Sequence, residues 1–487
     1  MNRLILTRCV AFGAILVAAC ARTLPGDPPP ASAFYFPVGI GVSPDERYAY
    51  IANSNFDLRY SAGWVSLVDL DAAIAGASMS EVVLSQVKIL SLAGGISLSP
   101  SGAMATIAHR GAATLSLLEI GADGRTASCG DAGATTSLSN EEKYTDCDRA
   151  HMLPTLCTAP QLDSDKRPSS CPWEEGGVRR VFPEELYEEE LSDPFATLLF
   201  THTPAAGGQE ALLAVSHLTP GDTSSSQSNR LLLFRVDTGS NAGEAITLSP
   251  LKSIALGFAG ISSLAIRPDG TGSFLAAATQ QYDSSISEAS TIYAIDVEKT
   301  LTENKDRYAG HSVNSEAGGA SIAGLAFAEP NGNLAYVNNR SPDSVVVMDT
   351  SLEDSRERDS SGVVQMVRRP RFHVLGATVL PKRPASLLQV KRQSGEDLLA
   401  IASFTDDAVF LMSIEGESLR LTGRLDVPGN GPFALAHVTR GTRDYLLVIT
   451  FFSHALLIYD VTGAEASRFP LVAELHSSET PAADPAR

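Results

Sequence analysis

Two histidines and two arginines are the side chains of this chain best suited to chemistry. Arg110 directly follows His109, Arg340 directly follows Asn339, and His217 ends a similar apolar run. A histidine can act as a general base, and an arginine can stabilise an oxyanion. If the fold brings these groups together, they could hydrolyse a lactone. His109, His217, Arg110 and Arg340 are therefore the candidate catalytic residues.

Motifs of other reaction types are missing from the sequence. It contains no G-x-S-x-G nucleophile elbow, no P-loop, no H-E-x-x-H and no C-x-x-C-H. No cofactor and no metal site are predicted. A redox or metal-binding protein remains the third and least supported alternative, after a binding protein and a hydrolase.

An internal repeat determines the expected fold. The unit from Val38 to Leu70 reads VGIGVSPDERYAYIAN, then a polar loop, then GWVSLVDL. Six further units follow. The second, fourth and fifth units hold, like the first, a small-residue strand, a turn, a second strand, a polar loop and a third strand, whereas the third, sixth and seventh are weaker copies. Small residues alternate along the first strands, as at Gly39 and Gly41, which suits strands crowded around an axis. A fourth, outer strand fits between units, as at Lys252 to Leu256.

The repeat predicts an all-β fold, namely a seven-bladed β-propeller of four-stranded antiparallel blades. The propeller is expected over residues 34–476, followed by a disordered tail at 477–487. Two segments compete as the outer strand that closes the ring, Phe34 to Phe36 and Leu471 to Leu475.

Equivalent positions at the ends of the second strands carry mostly polar residues. In a propeller these ends surround one mouth of the central channel, where they could bind a small polar or anionic ligand. The alternative is that they only cap strand ends. The residues are Asn53, His109, His217, Thr279, Asn339, Ser403 and Phe451.

Acidic residues recur near the ends of the third strands. They are expected to accept hydrogen bonds from turn N–H groups rather than to bind metal. The set is Asp69, Glu119, Asp237, Asp296, Asp349 and Asp460, with Ser413 in the remaining unit.

Four cysteines cluster in an acidic insert, residues 121–192, after the third strand of the second blade. An even number of clustered cysteines in an exported chain predicts two disulfides, whose pairing the sequence leaves open. A zinc site is the alternative, but no close C-x₂₋₄-C pair exists. The cysteines are Cys129, Cys147, Cys157 and Cys171.

The N-terminus has the features of an export signal. Arg3 and Arg8 precede a short apolar run that ends in small residues and Cys20. The string VAAC at Val17 to Cys20 resembles the bacterial lipobox. That resemblance implies cleavage of residues 1–19, acylation of Cys20 and an outer-membrane lipoprotein. Residues 20–33 then form a Pro-rich tether, and the membrane is contacted through the lipid anchor only.

Charge excludes one class of partner. The formal net charge is −19, and loss of Arg3 and Arg8 with the signal makes it −21. Nucleic acid is therefore not expected as a partner, because phosphate binding needs a basic face. Envelope proteins or a small polar ligand remain.

The pattern VSPDERYAYIAN followed by GWVSLVDL resembles the YVTN-type repeat propellers, some of which are lactonase-like. The resemblance extends over about residues 35–476 and implies the fold more than an activity. We therefore expect an envelope-anchored propeller that acts as a ligand- or protein-binding scaffold. The alternative is a lactonase-like hydrolase with its site at the channel mouth.

Overall fold

The fold was analysed in a computed structural model. The described residues are 27–110, 114–129, 144–146, 152–154, 161–162, 168–170, 172–175, 178–181, 194–217, 230–237, 246–256, 260–280, 291–303, 306–313, 321–340, 342–358, 364–380, 383–428 and 431–476. The predicted signal peptide, Cys20, the C-terminal tail and three of the clustered cysteines (147, 157 and 171) lie outside them.

The seven-bladed β-propeller is confirmed. Six blades are antiparallel sheets whose four main strands follow one another in chain order. Blade 1 comprises β1 Pro37–Val42, β2 Tyr48–Asn53, β3 Gly63–Asp69 and β4 Val83–Ile89. Blade 3 comprises β15 Pro194–His202, β16 Glu210–His217, β17 Arg230–Asp237 and β18 Thr247–Ala255. Blade 4 comprises β19 Gly260–Ile266, β20 Phe274–Gln280, β21 Thr291–Asp296 and β22 Tyr308–Ser312.

Blades 5 to 7 repeat this order. Blade 5 comprises β23 Ile322–Phe327, β24 Leu334–Arg340, β25 Asp343–Asp349 and β28 His373–Val379. Blade 6 comprises β29 Pro384–Val390, β30 Leu398–Ser403, β31 Ala408–Glu415 and β32 Ser418–Asp426. Blade 7 comprises β33 Pro432–Arg440, β34 Arg443–Thr450, β35 Ala455–Asp460 and β36 Leu471–His476.

Blade 2 differs because the cysteine insert supplies its outer strand. The strands β5 Ala93–Leu98, β6 Met104–His109 and β7 Thr114–Ile120 are followed by two short segments, β8 Ala127–Ser128 and β10 Met152–Pro154, which both pair with β7. Between them, β9 Tyr144–Asp146 pairs in parallel with β4 of blade 1. The described part of the insert therefore completes one blade and contacts its neighbour.

The remaining described strands of the insert form two short hairpins. These strands are β11 Gln161–Leu162 with β12 Pro168–Ser170, and β13 Pro172–Glu175 with β14 Val178–Val181. Cys129, at the start of the insert, is fully buried in the core between blades 1 and 2.

The first strands form the inner ring of the propeller. Each inner strand packs on the inner strand of the next blade, and β33 packs on β1 to complete the circle. A Cβ placed on Gly39 would lie 2.7 Å from the backbone nitrogen of Ile96 in blade 2. The small residues predicted along these strands thus allow the backbones of adjacent blades to approach.

The apolar core lies between the blades. Successive residues of a second strand face opposite neighbours, as expected from the period of two. In β2, Ile51 joins the cluster shared with blade 7, whereas Tyr50 joins the cluster shared with blade 2. Each blade is therefore stabilised by both of its neighbours.

The ring closes by packing rather than by exchange of a strand. Of the two candidate closing segments, Leu471–His476 forms the outer strand of blade 7 and pairs with β35. Phe34 instead enters the core between blades 7 and 1. The same seam holds the Arg440–Asp71 ion pair and a hydrogen bond from the Thr439 N–H to Glu46, 2.6 Å long.

The N-terminal segment from Asp27 to Phe36 lies along blade 1. Its Asp27 forms a parallel bridge with Tyr60. The carbonyl oxygen of Ala33 accepts hydrogen bonds from the Trp64 indole at 3.1 Å and from Gln86 at 3.2 Å. The tether predicted over residues 20–33 is therefore held against the propeller from Asp27 onwards.

We call the side where second strands end the mouth face and the opposite side the far face. Connections between third and fourth strands lie on the far face. They include the helices α1 Leu70–Ile74, α2 Met79–Val82 and α3 Val297–Glu303, a 3-10 turn Ala466–Arg468, and the hairpin β26 Leu352–Arg358 with β27 Val364–Pro370. Across the described residues, no helix is long and apolar enough to span a bilayer.

Three of the acids near the ends of the third strands, Asp69, Asp296 and Asp460, have the predicted structural role. Asp69 accepts a hydrogen bond from the Ala72 N–H, and Asp296 accepts one from the Lys299 N–H, so each caps a helix. Asp460 accepts one from the Thr462 N–H in a turn. These bonds satisfy backbone donors that would otherwise lack a partner.

Candidate functional site

The predicted ring residues occupy equivalent register positions on the mouth face. Each is the last or, for Thr279 and Asn339, the last but one residue of a second strand, and it pairs with a residue at or near the start of its first strand. The pairs are Asn53 with Pro37, His109 with Ala93, His217 with Pro194, Thr279 with Ile261, Asn339 with Ile322, and Ser403 with Pro384.

Phe451 was placed in this ring wrongly. In blade 7 the residue that pairs with Pro432 is Thr450, so Phe451 lies one position beyond the strand. The sequence Thr450-Phe451-Phe452 contains no turn residue that would locate the end of the strand. The seventh member of the ring is Thr450.

The ring side chains are buried, and all but one of them bond to their own blades; the exception is Asn339, whose two amide atoms have no hydrogen-bond partner among the described residues. The exposed fraction is 0% for Asn53, His109, His217, Asn339 and Thr450. Thr279 accepts a hydrogen bond from the Thr291 N–H at 2.8 Å and donates to the Thr291 carbonyl oxygen at 3.1 Å. Thr450 makes the same two contacts with Ala455.

Asn53 and Ser403 bond to other parts of the same blades. The amide of Asn53 donates to the Trp64 carbonyl oxygen, and its side-chain oxygen accepts from the Tyr35 N–H. Ser403 donates to Asp406 at 3.0 Å. Like the two threonines, these side chains tie the end of the second strand to the loop or strand beside it.

The two histidines are similarly enclosed. Nε2 of His109 lies 2.7 Å from the Ser116 hydroxyl, and Nδ1 of His217 lies 3.3 Å from the Arg230 carbonyl oxygen. Burial lowers the pKa of His109 to about 3. A histidine with no exposed surface cannot reach the proton of a ligand at the mouth, so this arrangement favours a structural role over general-base catalysis.

The acid stability of the protein should depend on His109. Its folded pKa of about 3 lies below the ordinary 6.5, so the unfolded state binds more protons between these values. The free energy of unfolding is therefore highest above pH 6.5 and decreases as the pH falls. Between pH 6.5 and 5 this decrease is roughly 2 kcal/mol. The free energy of unfolding, measured with denaturant, should depend less steeply on pH in His109→Asn than in wild type. The exposed His373, changed to Asn, is the control, and equal slopes for all three proteins would contradict the expectation.

The candidate arginines also contact the protein itself. The guanidinium of Arg110 lies 5.5 Å from the ring centre of Phe195 in blade 3. Nε of Arg340 donates to the Pro384 carbonyl oxygen at 3.1 Å. Each arginine therefore links its blade to the next one around the mouth face.

An aromatic cluster on the mouth face was not predicted. The rings of Phe36, Phe56, Phe404, Phe433 and Phe452 all lie 4.9–6.0 Å from that of Phe451, centre to centre. These residues come from blades 1, 6 and 7. The sequence carries a signal for this cluster, because Phe36 directly precedes a first strand, and Phe404 and Phe451 directly follow second strands.

Part of this cluster is open to solvent. Phe56 is 52% exposed and Phe452 is 40% exposed, and Leu58 in the same loop as Phe56 is 59% exposed. Among the described residues, no group of three or more histidine, cysteine, aspartate or glutamate side chains is placed to hold a metal ion. The aromatic cluster thus presents apolar side chains to solvent on the mouth face.

Comparison with solved structures supports the fold. Hydrazine synthase from Kuenenia stuttgartiensis is similar with a TM-score of 0.50 and 13% identity, over 91% of this chain and 99% of that one. Sqt1 from Chaetomium thermophilum, bound to the N-terminus of ribosomal protein L10, has a TM-score of 0.48 and 12% identity, over 91% and 90%.

A candidate 6-phosphogluconolactonase from Bacteroides uniformis has a TM-score of 0.47 and 12% identity, over 80% of this chain and 85% of that one. No family model matches the chain, and no curated protein matches it. At a TM-score of 0.50 and 13% identity, the likeness to hydrazine synthase shows a shared fold and nothing about ligand or activity.

Proposed function

We propose that this protein is a non-enzymatic binding propeller, held at the cell envelope by a lipid on Cys20, which engages a partner protein through its far face. The observation that carries this proposal is the hairpin β26–β27, which exposes apolar side chains on that face. Val364 is 52% exposed and Met366 is 61% exposed. Exposed apolar groups rimmed by polar ones are typical of protein interaction sites.

The hairpin has two features suited to a protein partner. Its inner side faces blade 4, because β27 contacts β21, and Val367 and Arg369 line a groove together with Tyr308. Its outer side carries Met366 directly opposite Arg356 across the two strands. An apolar contact beside a cation suits a partner surface with an apolar patch bordered by carboxylates.

Burial of the histidines favours binding over the lactonase-like alternative. His109 and His217 have no exposed surface, whereas hydrolysis needs a base within hydrogen-bond reach of the substrate or its water. Lactone hydrolysis by the purified protein that is lost in His109→Ala, with the fold intact, would restore the enzyme proposal.

The anchoring half of the proposal rests on the N-terminal sequence and has a direct test. Wild-type protein should fractionate with membranes and carry acyl mass, because three acyl chains hold a protein stably in a bilayer. The Cys20→Ala variant should lose the acyl mass and leave the membrane fraction. Intact mass under reducing and non-reducing conditions would also test the two proposed disulfides, one of which would use the buried Cys129. A wild-type protein without acyl mass would contradict the anchor.

The partner half is tested with a photo-crosslinking residue placed at Met366 in cells. The matched control is the same residue at Leu421, which is 53% exposed on the outer strand of blade 6. We expect a discrete protein adduct at position 366, absent at 421 and weakened by Arg356→Glu. Adducts of equal yield at both positions, or none at 366, would rule out the hairpin as the contact surface.

A further inference from the structure

The exposed part of the aromatic cluster forms a small apolar surface at the join of blades 7 and 1. We call Phe56, Leu58 and Phe452 the apolar patch. The Phe56 and Phe451 rings lie 5.6 Å apart, and the Phe451 and Phe452 rings lie 5.1 Å apart, so the buried Phe451 connects the two exposed rings from beneath. Leu58 lies in the same loop as Phe56 and is 59% exposed.

The loop that carries Phe56 and Leu58 is held in one shape. The side chain of Asn55 donates to the Tyr60 carbonyl oxygen at 2.7 Å and accepts from the Tyr60 N–H at 3.0 Å. Leu58 has a positive φ of 58°, which is rare for a leucine and costs energy. The surrounding bonds therefore keep an apolar side chain pointing outward in an unfavourable backbone conformation.

The N-terminal segment enters the propeller beside this patch. The Ser61 N–H donates to the Asp27 carbonyl oxygen at 2.8 Å, and Asp27 forms a bridge with Tyr60. Cys20 lies seven residues before Asp27 in the sequence. A chain of that length reaches at most about 25 Å. A lipid on Cys20 would thus hold the apolar patch close to the bilayer surface.

Charge indicates what kind of contact is possible there. The chain is strongly acidic, with a net charge of −19, which opposes electrostatic attraction to anionic lipid. Beside the patch, Asp57 accepts a hydrogen bond from the Tyr35 hydroxyl at 2.7 Å, and Arg59 lies over the Tyr60 ring. The attraction must therefore come from burial of apolar and aromatic side chains, which suits the interfacial layer of a bilayer.

We propose that Phe56, Leu58 and Phe452 insert into the interface of the lipid leaflet that carries the Cys20 anchor, so that the propeller rests on the bilayer at blades 7 and 1. This inference rests on the lipid anchor of the proposed function. It fixes the orientation of the body, with the mouth face toward the lipid and the hairpin β26–β27 on the side away from it.

The test uses the lipidated full chain in phosphatidylcholine vesicles, with an environment-sensitive fluorophore on Leu58→Cys. The control places the same fluorophore on Leu421→Cys. We expect a blue shift and quenching by lipids with a spin label at position 58, no change at position 421, and no effect of raising the salt. The double change Phe56→Ser and Phe452→Ser should reduce the quenching at 58. Its circular dichroism should match wild type, and its melting temperature should fall only modestly, because both rings are partly exposed but also contact Phe451.

Failure of this inference is distinguishable from failure of the anchor. If lipidated protein floats with the vesicles but position 58 is quenched no more than 421, the patch does not contact lipid and the inference is wrong. If the protein lacks acyl mass, the anchor is wrong, and the unlipidated chain is then titrated with vesicles of the same lipid. Quenching at 58 in that titration supports the patch without the anchor, and its absence overturns it.

Discussion

Replacing Trp64 by alanine is expected to lower the free energy of unfolding by about 3–5 kcal/mol. Trp64 is fully buried, its indole N–H donates to the Ala33 carbonyl oxygen, and its ring lies edge-on to Tyr60. Truncation to alanine would leave a cavity and would remove one hydrogen-bond donor from the Ala33 carbonyl oxygen. Denaturant unfolding of both proteins would measure the difference.

Two further variants make the Trp64 result specific. Trp64→Phe keeps most of the ring but removes the donor, so we expect a loss between those of wild type and Trp64→Ala. Leu421→Ala removes an exposed side chain and should change the free energy by less than about 0.5 kcal/mol. A Trp64→Ala protein as stable as Leu421→Ala would show that the N-terminal segment does not depend on this contact.

Gly39→Val is expected to destabilise the ring by about 3 kcal/mol. The Cβ position of Gly39 lies 2.7 Å from the backbone nitrogen of Ile96 and 3.1 Å from the Cα of Gly95. Backbone atoms cannot rotate away as a side chain can, so the inner strands of blades 1 and 2 must separate. The midpoint of thermal or denaturant unfolding measures the effect.

The chain offers a matched control in the facing strand. A Cβ on Gly95 would meet no atom within 4 Å, so Gly95→Ala should be neutral or slightly stabilising through the unfolded state. If Gly39→Val and Gly95→Ala behaved alike, close approach of the inner strands would not be what requires glycine at position 39.

The repeat was sufficient to predict the blades because each carries the same alternation of small and large residues. It could not decide the closing strand, since the segments around Phe34 and Leu471 are both short and apolar. It also missed the outer strand of blade 2, because that strand consists of Ala127–Ser128 and Met152–Pro154 with a long stretch between them. Segments of two or three residues carry no periodic signal.

The mouth ring was located in six blades of seven, but its environment was not foreseen. A polar residue at a strand end can face solvent or the adjacent turn, and the sequence does not distinguish the two. The aromatic cluster was missed for a different reason: Phe404 and Phe451 occupy the same repeat position, but no other unit has phenylalanine there, and Phe36 is far away in the chain. They come together only because the ring brings blades 6, 7 and 1 side by side.

The packed seam between blades 7 and 1 has a consequence for how the chain is made. Synthesis delivers the N-terminus first, so blade 1 emerges long before residues 432–476 of its neighbour. Until then, apolar side chains such as Ile51 and Val68, which belong to the shared core, face water on one side. A chain that lacks its last blade therefore exposes an apolar edge that is prone to aggregation until synthesis is complete.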